Sequence, residues 1–225
     1  MHFVYRRDRA RHGDAGGRTV NGGSKGEIMK LEANRAAQII AAALVLVVIT
    51  QMVYVMLSGS GKSHIAYPIW RTEAVSALVV ALLAFVIVQR KPLVGGCLVV
   101  AGIFNVIQTG MGLMMFYQLG YGGDEPPNPV FFPVLRMSFY LYYAAKTALG
   151  VAALVLGMEL WQTSAGNLWR GVGMLSALAG LAALGLNGAA MILGLGAVPF
   201  AGASGVVAAL FTAVTLVRVM QSGTS

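Results

Sequence analysis

The stretch 138-SFYLYYAAKTALGVAALVLGMEL-160 decides how this chain is read. A bilayer core of about 30 Å needs about 20 apolar residues in a helix, and this run of Ala, Leu, Val, Tyr and Gly is long enough. Lys146 sits in its middle. An ammonium at membrane depth costs roughly 2.5 to 3.5 kcal/mol on insertion scales. A chain keeps such a residue when something nearby offsets the cost, so Lys146 marks where function is to be sought.

Working outward, the pattern repeats. Six stretches are long and apolar enough to span, at about 36–57, 72–89, 93–119, 135–160, 169–193 and 198–219. Charge and helix breakers return between them. Ser58-Gly59-Ser60-Gly61-Lys62 ends the first span, and Arg90-Lys91-Pro92 separates the second from the third. Gly120 to Pro133 is the longest connection, Gln162 to Asn167 follows the fourth span, and the uncharged Gly194 to Ala197 is a tight turn before the sixth. The fold class is therefore all-α, a polytopic transmembrane helix bundle of six spans, forming one membrane domain over 36–219 with a short tail at 220–225.

Composition agrees. Of the 225 residues, 57% are hydrophobic and 11% charged, against about 25% charged in soluble domains. The net charge of +8 is not a nucleic-acid surface, because half of the 16 basic residues precede the first span: Arg6, Arg7, Arg9, Arg11, Arg18, Lys25, Lys30 and Arg35. That is a positive-inside flank. Arg90, Lys91, Arg170 and Arg218 fall on the same side, while the other side carries Lys62, Arg71 and Arg136, with Asp124 and Glu125. Both termini are thus expected in the cytoplasm and the 120–134 loop outside, in a bacterial-type inner membrane. Trp70, Trp161 and Trp169 lie at span ends, where indole rings meet headgroups.

Residues 1–35 read as a basic, disordered segment. Lys25-Gly26-Glu27-Ile28-Met29 adds a further reading: Lys-Gly-Glu can be encoded by codons that spell a ribosome-binding sequence upstream of an ATG at Met29. Residues 1–28 are then translated leader; the alternative is a genuine basic tail. A weak internal echo, Ser76 to Ala81 against Thr147 to Ala152, suggests that spans 2–3 and 4–5 are related hairpins. The single Cys97 reads as a small packing residue.

The polar side chains gather between midplane and outer surface. Asn105 and Gln108 of span 3, Lys146 of span 4, Gln51 of span 1, Asn187 of span 5 and Glu73 at the outer end of span 2 all fall there. Tyr142 and Tyr143 precede Lys146 by one turn. The candidate site is Lys146, Asn105, Gln108, Glu73, Tyr142 and Tyr143, read as an outward-opening cavity with Lys146 at its floor and Glu73 near its mouth. Lys146 either meets an anionic group, carries a proton, or ties helices together through Asn105 and Gln108.

Other motifs fail. Gly59-Ser60-Gly61-Lys62-Ser63 lacks the first glycine of a phosphate-binding loop, where Met56 stands instead. His2, His12 and His64 are scattered, no Cys/His/Asp/Glu group has metal-ligand spacing, and Glu73 and Glu159 lie at opposite membrane faces. No cofactor is expected. Ala179 with Ala183, Gly185 with Gly188, and Ala201 with Gly205 offer small faces of spans 5 and 6 for each other, a second copy or a larger complex. Val130-Phe131-Phe132-Pro133 is either an interfacial anchor or a docking edge. The expectation is a non-enzymatic accessory subunit or small binding or transport protein. A secondary transporter using Lys146 and Glu73 is the alternative, and a lipid-modifying enzyme a third.

Overall fold

The computed structural model describes residues 22–58, 66–121 and 127–222. Its described residues form six long helices and no strand. They are α1 (Gly22–Ser58), α2 (Ala66–Val88), α3 (Pro92–Met111), α4 (Phe131–Thr163), α5 (Asn167–Leu193) and α6 (Ala201–Ser222). α3 continues through a π-helical turn, Gly112–Phe116, and a 3₁₀ turn, Tyr117–Leu119. All six are long and apolar enough to cross a membrane, as expected of a multi-pass membrane protein.

Cross-contacts fix the directions. Tyr54 meets Trp70 and Thr50 meets Glu73, so α1 and α2 are antiparallel. Lys91 pairs with Glu159 at the start of α3 and the far part of α4. Tyr142, Lys146 and Leu149 of α4 meet Gly202, Gly205 and Thr212 of α6 in the same order, so those two are parallel. One end of the bundle thus carries the C-terminal end of α6 and the α2–α3 and α4–α5 turns; the other, the aromatic end, carries Trp70, Phe116 and Phe131. α4 packs on α3, α5 and α6. The core between helices is filled by Ile40, Leu98, Leu149, Leu156 and Leu216.

Glycines set the tightest spacing, between α4 and α5. A β-carbon on Gly150 would stand 2.8 Å from the Gly180 carbonyl oxygen, and one on Gly180 2.5 Å from that of Gly150. Gly157 and Gly173 repeat the arrangement two turns away, at 2.6 and 2.7 Å. With no side chain at the crossing the backbones touch, as small residues allow where lipid supplies no hydrophobic drive between helices. The turn after α5 depends on glycine as well: Gly194 (φ 93°) and Gly196 (φ 79°) take left-handed backbone, a conformation that costs glycine little.

The largest differences from the sequence reading are at three helix starts. Helix α1 starts at Gly22, so 22–35 is helical rather than disordered. The Lys30-Leu31-Glu32-Ala33 stretch is made of strong helix formers and simply extends the span. Residues 1–21, and with them most of the expected leader, lie outside the described residues. Helix α2 starts at Ala66 instead of 72, since Pro68 is tolerated within a first helical turn. Helix α4 starts at Phe131 instead of 135: Asn128 accepts the Val130 and Phe131 amides through its side chain (2.9 Å) and carbonyl (2.8 Å), opening the helix. Phe131 is thereby drawn into the core and only Phe132 stays exposed, so the pair is not jointly an interfacial anchor. Asp124 and Glu125 lie outside the described residues.

Candidate functional site: a roofed charge pair

Helix α2 starts early, so Glu73 lies about two turns inside the helix, rather than at its outer end. It is 7% exposed. Helix α1 brings Thr50 and Gln51 to the same level. Thr50 Oγ1 stands 3.0 Å from Glu73 Oε1 and 2.9 Å from the Val47 carbonyl oxygen, so its one hydroxyl proton serves both acceptors.

Lys146 closes the group from α4. It has no exposed surface, and its Nζ donates to Gln51 Oε1 at 2.9 Å. The ammonium also sits 5.1 Å from the centroid of the Tyr142 ring, within cation–π range. Lys146 and Glu73 make no direct ion pair; adjacent residues of α1 meet them, Gln51 accepting from Lys146 and Thr50 donating to Glu73. Among the described residues the one direct ion pair is Lys91–Glu159, at the other end of the bundle. On its stem side Lys146 presses into Gly205 of α6. Four helices, α1, α2, α4 and α6, therefore contribute.

Aromatic rings roof the group. Tyr54 is one turn from Gln51, and Trp70 one turn from Glu73; their ring centroids are 6.1 Å apart. Trp70 contacts Phe116 at 5.6 Å and Tyr121 at 5.8 Å, and Phe116 contacts Phe131 at 5.6 Å. The Tyr54 and Tyr121 hydroxyls are 3.3 Å apart. The π-helical turn of α3 fits this roof, because a β-carbon on its first residue, Gly112, would stand 3.0 Å from the Trp70 ring. A π turn redirects the local carbonyl ladder, and the Leu113 carbonyl here accepts a 2.9 Å bond from the Tyr67 hydroxyl.

Of the six expected site residues, Lys146, Glu73 and Tyr142 come together. Asn105 is buried on α3 and Gln108 half-buried, and among the described residues neither hydrogen-bonds Lys146. Tyr143 turns away to pack with Ala190 and Ala201. The expected open cavity with Lys146 at its floor is not formed, because the roof and α6 seal the lysine. The residues that complete the group are Gln51 and Thr50. Their signal was present, as adjacent polar residues in the otherwise apolar run 36–57.

Other intramembrane polar groups bind helices. Ser176 donates to the Ala153 carbonyl at 2.9 Å, and Asn187 donates to the Ala183 carbonyl at 2.9 Å and to Ser204 at 3.1 Å. Of the small residues expected to bring spans 5 and 6 against each other or a partner, Ala183, Ala201 and Gly205 are buried within the chain. Gly185 and Gly188 face open space. A separate cavity of about 400 Å³ opens between α4 and α5 at the aromatic end; Tyr143 lines it and Lys146 does not.

No protein-family model matches the chain, and no curated protein or solved structure matches it.

Proposed function

We propose that the chain is a non-enzymatic binding or transport protein of the plasma (inner) membrane, and that Lys146, Gln51 and Glu73 form the group that meets a small charged solute or a proton. One observation carries this reading: a lysine without exposed surface that donates to Gln51, whose chain neighbour Thr50 donates to a buried glutamate, among six apolar helices. Buried charges are a poor device for stability, since well-packed apolar residues of similar volume often hold as well or better. Intramembrane ionisable groups mark solute paths and proton relays. Gly205 leaves room for the lysine stem, so the space around the charge is built rather than incidental. In this reading the roofed arrangement is a closed state, and Tyr54, Trp70 and Tyr121 separate the pair from the aromatic end. The Lys/Arg asymmetry of the connections supports an orientation with both termini in the cytoplasm.

Reconstitution into proteoliposomes with an entrapped pH-sensitive dye tests the proton arm, and counterflow of small carboxylates or phosphate tests the solute arm. The wild type is expected to show flux under an imposed gradient, and Lys146→Met to stay folded and lose it. Lys146→Arg separates the two, because a guanidinium still pairs with an anion but does not give up a proton. Absence of flux in both arms sinks the reading in favour of a helix tie.

A second reading, an accessory subunit of a larger membrane complex, draws on Gly185 and Gly188, which leave open space on the outer face of α5. Extraction in mild detergent distinguishes it: a subunit co-purifies with a partner, and Gly185→Leu releases that partner.

A further inference from the structure

The cavity between α4 and α5 has an order along its length. Arg136, Phe139, Tyr140 and Tyr143 line it from α4; Ala190, Met191 and Leu193 line it from α5, with Gly194 and Leu195 of the following turn. Positions 136, 139, 140 and 143 fall on one face of α4 and run about 10 Å along it. The Arg136 end lies beside the turn where the chain leaves the last residue of α5, at the rim of the apolar bundle. The opposite end is formed by the Tyr143 ring and the Ala190 and Met191 side chains, with Ala190 and Tyr143 buried. Arg136 is exposed at the mouth and has no ion-pair, hydrogen-bond or ring partner among the described residues. By contrast, Arg71 lies over Tyr67 and Arg218 over Trp169, each at 4.9 Å.

The geometry points to a site for an anionic phospholipid, its phosphate on Arg136 and the Tyr140 hydroxyl, and its upper acyl chain along Phe139, Ala190 and Met191. A guanidinium pairs with phosphate through a two-pronged hydrogen bond that an ammonium does not reproduce. Tyrosine carries an apolar body with a polar tip, which suits the ester level of a bilayer. A volume of about 400 Å³ holds part of one lipid, not a whole one, so the remaining chain lies along the exposed outer surfaces of α4 and α5. A free phosphate ion would use Arg136 and leave the apolar floor unused. The ordering from charge at the rim to apolar wall at depth therefore selects an amphiphile. This site is independent of the Lys146 group.

Delipidated full-length protein, titrated with phosphatidylglycerol and, separately, phosphatidylcholine and followed by native mass spectrometry, tests the assignment. Tighter binding of phosphatidylglycerol is expected. Arg136→Gln should weaken it by about tenfold, as loss of one charge-assisted pair implies, and Arg136→Lys should fall between. Met191→Trp fills the deep wall while keeping the charge, and should also weaken binding without changing helicity by circular dichroism. Excess inorganic phosphate should compete poorly. Equal affinity for the two lipids overturns the proposal. So does unchanged binding in Arg136→Gln, which is the result if the chain's own Asp124 or Glu125 occupies the arginine. Full displacement by inorganic phosphate overturns the amphiphile in favour of a simple anion site.

Discussion

Gly205 of α6 and the stem of Lys146 of α4 occupy one notch: a β-carbon on Gly205 would stand 2.5 Å from Lys146 Cγ, 2.6 Å from Cβ and 2.7 Å from Cδ. The lysine cannot swing clear, because its Cβ belongs to the fixed base of the side chain. Gly205→Ala is therefore expected to push α6 from α4 and lower stability by about 1–3 kcal/mol, the usual cost of overpacking. Unfolding in mixed micelles measures it. In a Lys146→Ala background the same change should cost less, since Cγ and Cδ are gone while Cβ remains.

The reciprocal contacts of Gly150 with Gly180 and of Gly157 with Gly173 predict a contrast along one helix. Gly180→Ala meets backbone on α4 at 2.5 Å, and backbone does not yield as a side-chain tip does; a loss of about 1–3 kcal/mol is expected. Gly185→Ala, one turn on, meets nothing within 4 Å. It should be neutral or stabilise by up to about 1 kcal/mol through helix propensity alone. Equal effects at the two positions would contradict the packing described.

Lys146 and Glu73 should behave as a coupled pair. Removing either alone leaves a buried charge without its counter-charge, a change that costs about 3–5 kcal/mol in buried pairs. Lys146→Met with Glu73→Met removes both and is expected to be neutral or stabilising. A thermal-unfolding double-mutant cycle in detergent reads the coupling, and strictly additive losses would mean that the two charges do not sense each other.

Sidedness is tested by cysteine labelling of intact cells in a Cys97-free background. With both termini in the cytoplasm, a cysteine at position 125 reacts with a membrane-impermeant reagent and one at position 91 does not. The opposite pattern inverts the topology.

Much of this architecture is written along the chain. Lys146, Gln51 and Glu73 each stand out as charged or amide side chains in runs that are mostly apolar, and the length of each run follows from bilayer thickness and helical rise. Their depths follow too, since residues are counted inward from a span end; the error at Glu73 arose where the apolar run and the helix start at different residues. Which helices touch was not legible. The partner of Lys146 was expected on span 3, whose Asn105 matches its depth, yet α6 and α1 flank the lysine, and the amide that reaches it is Gln51.

The sequence by itself determined six apolar helices and the polar residues they carry, because hydrophobicity and backbone hydrogen bonding in a membrane leave a single-segment solution for each run. Only the tertiary structure decided that Gly205 makes room for Lys146, that Gln51 meets Lys146 while Thr50 meets Glu73, and that Tyr54, Trp70 and Tyr121 roof the group. Those outcomes depend on the rotation of each helix about its own axis. In lipid that rotation is set by close packing and by hydrogen bonds between helices, both of which are properties of pairs of helices rather than of any one segment.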